Sequence, residues 1–419
     1  MKLETYDMVI SILKMLIKGT KFEGHVYSVG GCERDRILGN EIKDIDIVVD
    51  LPRGGIELAE YLNSKGYLLY EPVVYENFGT VMFNLFDIPT VEIEAVHTRK
   101  ETYRGDSRKP ETSYGTIYED CTRRDFTINA VYRNISTGET LDLNGNSRQD
   151  LTNKAIKTCG DPNIIFSEDP LRTLRAIRFK YRLDFNFDFE TYNGMKAYVE
   201  RLSIISQERI TDEFSKIICG NDVVNAFLDL KNIGALKYIF PNIGNDIDKI
   251  TNTKNLIYLK KSKNNLIVRL AILFRLLDED SIRKLIFDMK YPNRVADDIL
   301  FIHKFDVDYK IDYKTFDLSK IRKAMYYSKT ADRFSMLTDY LEAVSKDGSE
   351  IYMTSIFDIG DIMYGYKLGV NGNDIMEKFS ISPGPFIKKA LNTLLKEAFH
   401  SPEEFLDKNH CFEVVQSIM

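Results

Sequence analysis

The sequence predicts an α+β domain at the N-terminus followed by a long all-α body. Three observations carry this reading. Short β-rich runs alternate with turn signals only within the first 145 residues. Gly138, Gly145 and Ser147 then mark a turn-rich exit. From Asp169 onward strand signals are scarce and apolar residues recur at helical spacing.

Taken in order, Met8, Ile12, Met15 and Leu16 fall on one face of an opening helix. Candidate strands follow at His25–Val29, Ile45–Val49, Thr80–Leu85, Val91–Ala95 and Asn129–Tyr132, with helical patterns at Glu33–Leu38 and Gly55–Lys65 between them. Leu171, Leu174, Ile177 and Tyr181 repeat at steps of 3, 3 and 4, as one helix face should. Asp222–Lys231, Ile267–Leu277, Asp280–Asp288 and Pro385–Phe399 read the same way. No fixed-period repeat or low-complexity tract occurs.

Length and composition bound the function. The 419 residues amount to two to four domains at ~100–200 residues each. With 44% apolar and 12% aromatic content and 11 prolines, disordered and collagen-like chains are excluded. The longest apolar stretch, Leu266–Leu277, is broken by Arg269 and Arg275, short of the ~20 residues of a membrane span. The start, Met-Lys-Leu-Glu-Thr, lacks a signal-peptide layout. Five cysteines without paired spacing suggest reduced thiols and a cytoplasmic location. A net charge of −6 argues against a protein that coats nucleic acid nonspecifically, while leaving room for a local basic groove.

The most informative stretch is Val29-Gly30-Gly31-Cys32-Glu33-Arg34-Asp35-Arg36-Ile37-Leu38-Gly39, followed by Lys43-Asp44-Ile45-Asp46-Ile47-Val48-Val49. A strand runs into two glycines, a short helix, and a second strand opening with Asp-x-Asp. Glycines at a strand-to-helix turn let backbone N–H groups approach a phosphate beside the positive end of the helix. Asp44 and Asp46, two apart on a strand, share a face. Two such carboxylates beside a phosphate cradle suit Mg²⁺, which takes one or two carboxylates plus substrate phosphates. An isolated Asp-x-Asp is more often a solvated strand edge or a turn cap; order and spacing together are what make this one specific. No Gly-Lys-Ser/Thr follows, so a P-loop is excluded.

In that order and spacing, the pattern GG-x-x-RD-x-x-LG-x-x-x-x-D-x-D resembles the signature of the class II tRNA nucleotidyltransferase / bacterial poly(A) polymerase family, within the polymerase-β superfamily. The resemblance implies a mixed-sheet, polymerase-β-like catalytic head over residues 1–145, a neck over 146–215, a helical body over 216–345 and a tRNA-contacting tail over 346–419. It implies that Asp44 and Asp46 hold the catalytic Mg²⁺, with Gly30, Gly31 and Arg34 near the triphosphate. Glu33 departs from the family, which usually carries an apolar residue there, and is expected on the outer face of the short helix.

Further motifs follow in the family's order. Phe78-Gly79-Thr80-Val81 resembles a short strand of family CCA-adding enzymes. Glu94 precedes Arg99, Glu101 and Tyr103, resembling an acidic residue followed by Arg-x-Glu-x-Tyr. Glu94 is thereby a candidate auxiliary carboxylate; Glu92 lies on the same strand face and is not distinguished from it, and two surface glutamates on an edge strand explain the pair equally well. Arg123-Arg124-Asp125-Phe126-Thr127-Ile128-Asn129-Ala130 matches the family nearly verbatim. By composition alone it reads as a surface ion pair; the resemblance implies that Arg124 and Asp125 hold the sugar and phosphates of an incoming nucleotide, supported by Asn129.

Glu168-Asp169-Pro170-Leu171-Arg172 opens a well-capped helix. Arg172, Arg175, Arg178 and Arg182 then form a stripe without an acid from Pro170 to Leu183, which calls for an anionic partner. The segment resembles the family's EDxxR motif, which implies that Asp169 and Arg172 read the base, with Arg175 and Arg178 also at the nucleotide. A carboxylate accepts from the exocyclic amino group that cytosine and adenine share, and Arg donates to ring acceptors.

A second basic run, Lys254, Lys260, Lys261, Lys263, Arg269 and Arg275, lies in an acid-free stretch, with a solvated face as its default explanation. Asn371-Gly372-Asn373-Asp374-Ile375, Pro383-Gly384-Pro385-Phe386-Ile387 and Leu391–Phe399 resemble the tail of bacterial CCA-adding enzymes. The His-Asp pair of some members is absent near Leu270–Leu277, and the Arg-Arg-Phe run of the poly(A) polymerases is absent before the second motif. The implied activity is addition of C and A to tRNA 3′ ends from CTP and ATP. Its rivals are a poly(A) polymerase, a partial CC- or A-adding enzyme and, from another class, an inactive RNA-binding protein on the same scaffold. RNA contact is expected in one groove, with strong salt dependence.

Overall fold

A computed structural model of the chain describes residues 1–76, 79–102, 111–308, 318–344 and 363–419. Its contacts separate two units, Met1–Ile239 and Phe240–Met419. In the first unit the strands are β1 (Val26–Val29), β2 (Ile45–Val49), β3 (Val73–Tyr75), β4 (Thr80–Asn84), β5 (Glu92–His97), β6 (Arg99–Thr102), β7 (Glu111–Tyr114), β8 (Tyr132–Asn134), β9 (Thr140–Leu141) and a short parallel pair, β10 (Ala155–Ile156) and β11 (Asn186–Phe187). Seven of them make one mixed sheet in the order β3-β4-β5-β2-β1-β8-β9, while β6 and β7 form a separate hairpin. Only β2 and β5 run parallel in the large sheet.

Alternation along the strands decides what each face does. Ile45, Ile47 and Val49 of β2, Ile93 and Ala95 of β5, and Val81 and Phe83 of β4 share one face. They bury against α1 (Leu3–Ile17), through Tyr6, Val9, Ile10, Leu13 and Ile17, and against α3 (Gly54–Ser64), through Ile56, Leu58, Ala59 and Leu62. Each fully buried aliphatic side chain contributes about 1.5–3 kcal/mol. At Gly55 an added Cβ would stand 2.8 Å from the Ala95 carbonyl oxygen, so α3 packs this closely on β5 only with glycine there. The opposite face carries Asp46 and Glu94. Around Val29, Val48, Cys121, Ala130 and Tyr132 it has a small second core.

Between β1 and β2 lies α2 (Gly31–Leu38), and α4 (Ile117–Thr122) opens with a capping box between Thr116 and Glu119. The expected strand Asn129–Tyr132 is different in the structure. A 3₁₀ turn spans Thr127–Asn129 and the strand begins at Tyr132. Asp125 Oδ1 accepts from the Phe126 N–H and from Asn129 Nδ2, and Thr127 Oγ1 donates to Asp150. These local bonds compete with a ladder and win. After α5 (Ser147–Thr152) come α6 (Pro162–Glu168), α7 (Leu171–Leu183), α8 (Phe189–Tyr198), α9 (Gln207–Ile218) and α10 (Val223–Asn232).

The described part of the second unit is helical. Asn265 caps Leu266–Phe274, which buries Val268 through Phe274. Arg269 is buried there and donates to Ser262 Oγ and Asn264 Oδ1, and Arg275 stacks over Tyr258. Part of the second basic run is thus absorbed internally, leaving Lys254, Lys260, Lys261 and Lys263 exposed, the last in ion pairs with Asp339 and Glu342. Near the C-terminus, Gly372–Phe379, Pro385–Ala398 and Lys408–Ser417 close around Ile375, Ile387, Leu394 and Val415. Among the described residues, no helix is long and apolar enough to cross a membrane.

Candidate active site

Asp44 stands exposed just before β2, and Asp46 is half-buried as the strand's second residue. Parallel pairing of β2 with β5 sets Asp46 opposite Glu94, whereas Glu92 lies two residues earlier on the same face, opposite Asn84 of β4. Register therefore makes Glu94, rather than Glu92, the neighbour of Asp46. Burial and then Glu94 push the Asp46 carboxyl up to about 6, with Asp44 adding to the effect and Arg124 opposing it. Glu94 is raised as well, first by burial, with Asp44 and Glu92 adding to it against the pull of Arg99.

This surplus of negative charge suits a divalent cation. Among the described residues no three His, Cys, Asp or Glu side chains are arranged to hold a metal ion. The donor set that fits is a carboxylate pair completed by substrate phosphate oxygens, as Mg²⁺ commonly takes.

The glycine turn lies directly against this pair. Gly30 caps α2 at φ +81°, where an added Cβ would stand 3.1 Å from Asp46 Oδ2 and 3.8 Å from Arg124 Nη1. Cys32 ties the turn down, its thiol donating to the Val29 carbonyl at 3.0 Å and the Asp46 carbonyl at 3.6 Å. Gly31, the first residue of α2, has Arg34 Nη2 as the nearest atom to its missing Cβ, at 3.6 Å.

Glu33 does not lie on the outer face of α2. It is 0% exposed. Its carboxylate accepts from the Tyr6 hydroxyl of α1, from Ser28 Oγ of β1 at 2.5 Å, and from Arg36 Nε at 2.8 Å. The departure from an apolar residue is matched by a polar set drawn from three elements, which satisfies the buried charge.

Arg124 is held rigidly. Its Nε donates to Asp120 Oδ2 at 3.3 Å and to the Tyr132 hydroxyl at 2.8 Å, leaving Nη1 toward Gly30. Asp120 is wholly buried and also accepts from Arg123 and from the Tyr132 hydroxyl. Burial alone would raise its carboxyl, but the Arg124 and Arg123 guanidiniums hold it well below the usual carboxylate range. Sequence reasoning does not single out Asp120, although a signal exists, an acid four residues before Arg124 on one helix turn.

A second chain of bonds runs from α2 to α7. Arg34 makes a two-point ion pair with Asp35 at 2.9 and 2.7 Å and donates through Nη1 to Asn129 at 2.7 Å. Asn129 donates to Asp125, and Asp125 accepts from Arg175. Burial would raise Asp125, but Arg175 outweighs it and holds the carboxyl at about 2. Arg178 donates to Glu213 of α9 at 2.7 Å, and Arg182 reaches Asp35 at 3.4 Å. The stripe on α7 thus finds its anionic partners, Asp125, Glu213 and Asp35, within the chain.

The Arg172 N–H donates to the Asp169 carbonyl at 3.1 Å, but the two side chains take different partners. Arg172 is 7% exposed and donates to the carbonyls of Ile165 and Arg123 at 3.1 and 2.8 Å. Asp169 accepts from the Leu171 N–H at 3.2 Å and lies 3.7 Å from Arg209. Phe78 and Tyr103 lie outside the described residues.

Comparison with known proteins bears on both parts of this arrangement. Residues 26–157 match the family described as "Poly A polymerase head domain", and residues 184–246 match "Probable RNA and SrmB- binding site of polymerase A". The chain is 25% identical to "tRNA nucleotidyltransferase cca1" of Schizosaccharomyces pombe, over 96% of this chain and 93% of that protein. It is 29% identical to a "CCA-adding enzyme" of Geobacillus sp., over 89% and 88%. In fold it is similar to the crystal structure of the Bacillus stearothermophilus CCA-adding enzyme in complex with CTP. The TM-score is 0.81 at 22% identity, covering 100% of this chain and 98% of that one.

Proposed function

The chain belongs to the class II tRNA nucleotidyltransferase / bacterial poly(A) polymerase family, and from that membership we propose that it adds C and A to tRNA 3′ ends. CTP and ATP are the donors, pyrophosphate is released, and no nucleic-acid template is needed. One observation carries the proposal: Asp46 opposes Glu94 in register and faces Gly30 and Arg124. That places surplus negative charge beside a glycine turn and a cation, where a metal-bound triphosphate has both its needs met. The relatives that span most of the chain are named for this activity, which favours tRNA over other RNA ends.

Asp44 and Asp46 are the proposed Mg²⁺ ligands, with Glu94 assisting. Bound there, the metal supplies activation of the primer 3′-hydroxyl and charge stabilisation of the departing pyrophosphate. Gly30 and Gly31 open the space for the phosphates, and Arg124 meets their charge from a position fixed by Asp120. Arg34, Asn129, Asp125 and Arg175 form the relay that orients the sugar side of the site, with Arg178 beside it on α7, held by Glu213. Asp169 and Arg172 read the base; for this, Arg172 exchanges one of its carbonyl partners for the base edge. A catalytic head over 1–145, a neck over 146–215, a body over 216–345 and a tRNA-contacting tail over 346–419 make up the working division. The described cysteines are all unpaired, which supports a reducing compartment such as the cytoplasm.

The test is incorporation with Mg²⁺ on tRNAs ending before, within and after CCA. Two C and one A, then a stop, is the expected result. Open-ended A addition to any RNA returns the poly(A) polymerase reading, and addition of only CC or only A returns a partial enzyme. Binding without incorporation returns the RNA-binding protein.

A further inference from the structure

The part Arg124 plays at the triphosphate depends on where its Nη1 points, and Asp120 alone does not fix that. Both bonds from Arg124 to Asp120 end on the same oxygen, Oδ2, at 3.3 Å from Nε and 3.1 Å from Nη2. A planar group held at one atom pivots about it. The second point of attachment is the Tyr132 hydroxyl, which accepts from Arg124 Nε at 2.8 Å and donates to Asp120 Oδ2 at 2.7 Å. Burial holds the Tyr132 phenol well above its usual value, with Arg124 opposing and Asp120 adding, so the hydroxyl keeps the one proton that it gives to Asp120. The Tyr132 ring also faces the guanidinium, its centroid 5.2 Å from the central carbon of Arg124, within reach of a cation–π contact.

Tyr132 is itself held from another direction. It is fully buried and belongs to the small core that includes Val29 and Val48. As the first residue of β8 it pairs with Val29 of β1 on one side and with Leu141 of β9 on the other. Val29 directly precedes Gly30, so the ladder that places Tyr132 also places the glycine turn. Asp120 comes instead from α4. Arg124 is thus gripped between a helix and the sheet, with Nη1 3.8 Å from where a Gly30 Cβ would stand. We infer that Tyr132 is a positioning residue for the incoming nucleotide: its hydroxyl fixes the rotation of the Arg124 guanidinium, and its pairing with Val29 keeps that guanidinium in step with the glycine turn. The inference rests on the proposed function and adds to it a residue that acts only through Arg124.

Tyr132→Phe, Arg124→Ala and the double variant test it. Phenylalanine keeps the buried ring and its packing and removes only the hydroxyl. Equilibrium binding of CTP and of inorganic tripolyphosphate is measured with Mg²⁺ and without RNA, beside steady-state kinetics on a tRNA transcript lacking CCA. Tyr132→Phe is expected to weaken both ligands about tenfold, the scale of one hydrogen bond to a charged group. The KM for CTP and for ATP should rise by that same factor, with kcat and the KM for the transcript within about twofold of wild type, as loss of ground-state binding requires. In the Arg124→Ala background the same substitution should change binding by less than about twofold, because the residue it acts through is gone. Unchanged binding in Tyr132→Phe overturns the inference, and so does a tenfold effect that persists without Arg124. Weaker CTP with tripolyphosphate unaffected would move the hydroxyl's effect to the base or sugar and overturn it too, as would a wild type that binds neither ligand. A wild type that binds both yet adds nothing to the transcript sinks the proposed function, while the binding measurements still decide Tyr132.

Discussion

Arg175 donates through both Nε and Nη2 to one oxygen of Asp125, at 2.8 and 2.6 Å. The pair joins α7 to the loop after α4, and Asp125 is almost fully buried while Arg175 is 35% exposed. Arg175→Ala would strand a buried carboxylate. Breaking such a pair costs ~3–5 kcal/mol when both partners are buried; the exposure of Arg175 brings the expected loss to about 2 kcal/mol. Asp125 is depressed to about 2 from an ordinary 3.8, so the pair's stability is present above 3.8 and lost as pH falls toward 2. Urea melts of both proteins should therefore differ most near neutrality and converge in acid. A gap that persists below pH 2 would contradict the ion pair as its source.

Asp46 has the opposite sign. Its folded value, about 6, lies above the ordinary 3.8, so the folded protein binds this proton more tightly than the unfolded chain. The metal-free protein is destabilised by ionising Asp46, and the penalty grows as pH rises from 3.8 to about 6. Asp46→Asn removes the charge facing Glu94. It should raise the thermal midpoint at about pH 7 in chelator while abolishing nucleotide addition. Mg²⁺ should stabilise wild type under the same conditions by mass action and leave the variant unmoved. An equal response of the two proteins to Mg²⁺ would remove Asp46 from the metal site.

Glu33 offers a test on the far side of the sheet from the chemistry. Glu33→Ala removes the acceptor that Ser28 and Arg36 share with the Tyr6 hydroxyl, which keeps Ser28 Oγ at 2.9 Å, and about 3 kcal/mol of stability should go with it. Glu33→Leu alone should also destabilise. Combined with Tyr6→Phe and Ser28→Ala it should recover most of the loss, because an apolar set of similar shape replaces a polar set that has lost its centre. Chemical denaturation decides this. A triple variant no more stable than Glu33→Leu would mean that the carboxylate itself is required.

What can be read from the sequence follows a physical line. The placement of Asp46 is legible because order and spacing along the chain fix a strand face without tertiary information, whereas Asp44 lies just before the strand. Glu33 escapes such reading because α2 is polar nearly all round, Gly-Cys-Glu-Arg-Asp-Arg-Ile-Leu. What buries it is Tyr6, 27 residues away. The arginines of α7 look as though they await an external anion because Asp125 and Glu213, which pair with them, lie far off in sequence. Asn129 reads as strand because its apolar neighbours fit one, while its bond to Asp125 depends on a turn that alternation does not encode. Local pattern thus reveals which strand face Asp46 takes, and long-range polar pairing stays hidden.

RNA binding by a protein of net charge −6 must be local and sensitive to salt. Lys254, Lys260, Lys261 and Lys263 are all exposed in the second unit, and Lys263 is held there in ion pairs, with Asp339 at 2.6 Å and Glu342 at 3.2 Å. Replacing Lys254, Lys260 and Lys261 by alanine should flatten the dependence of log K on log salt, by about 0.9 for each duplex phosphate that is no longer neutralised. Replacing Lys263 should change stability more than the slope. Affinity for tRNA that is constant from low to high salt would contradict an electrostatic groove.

Gly30 and Gly39 flank the same helix and separate two effects of a side chain. Both have positive φ, +81° and +69°. At Gly39 an added Cβ meets nothing within 4 Å, whereas at Gly30 it stands 3.1 Å from Asp46 Oδ2. Gly39→Ala should therefore cost only the left-handed backbone penalty, about 1 kcal/mol, and leave turnover intact. Gly30→Ala pays more in backbone strain, since its ψ of −138° lies where glycine alone is comfortable. It also forces Asp46 or the turn to move, and a shift of a few tenths of an ångström at a metal carboxylate misaligns the reacting groups. Its kcat should fall by about tenfold, because a misplacement of ~1 Å costs about a hundredfold. Single-turnover CTP incorporation measures this, beside thermal melts of both variants. Equal losses of turnover at the two glycines would show that helix stability, rather than the approach of Gly30 to Asp46, limits the site.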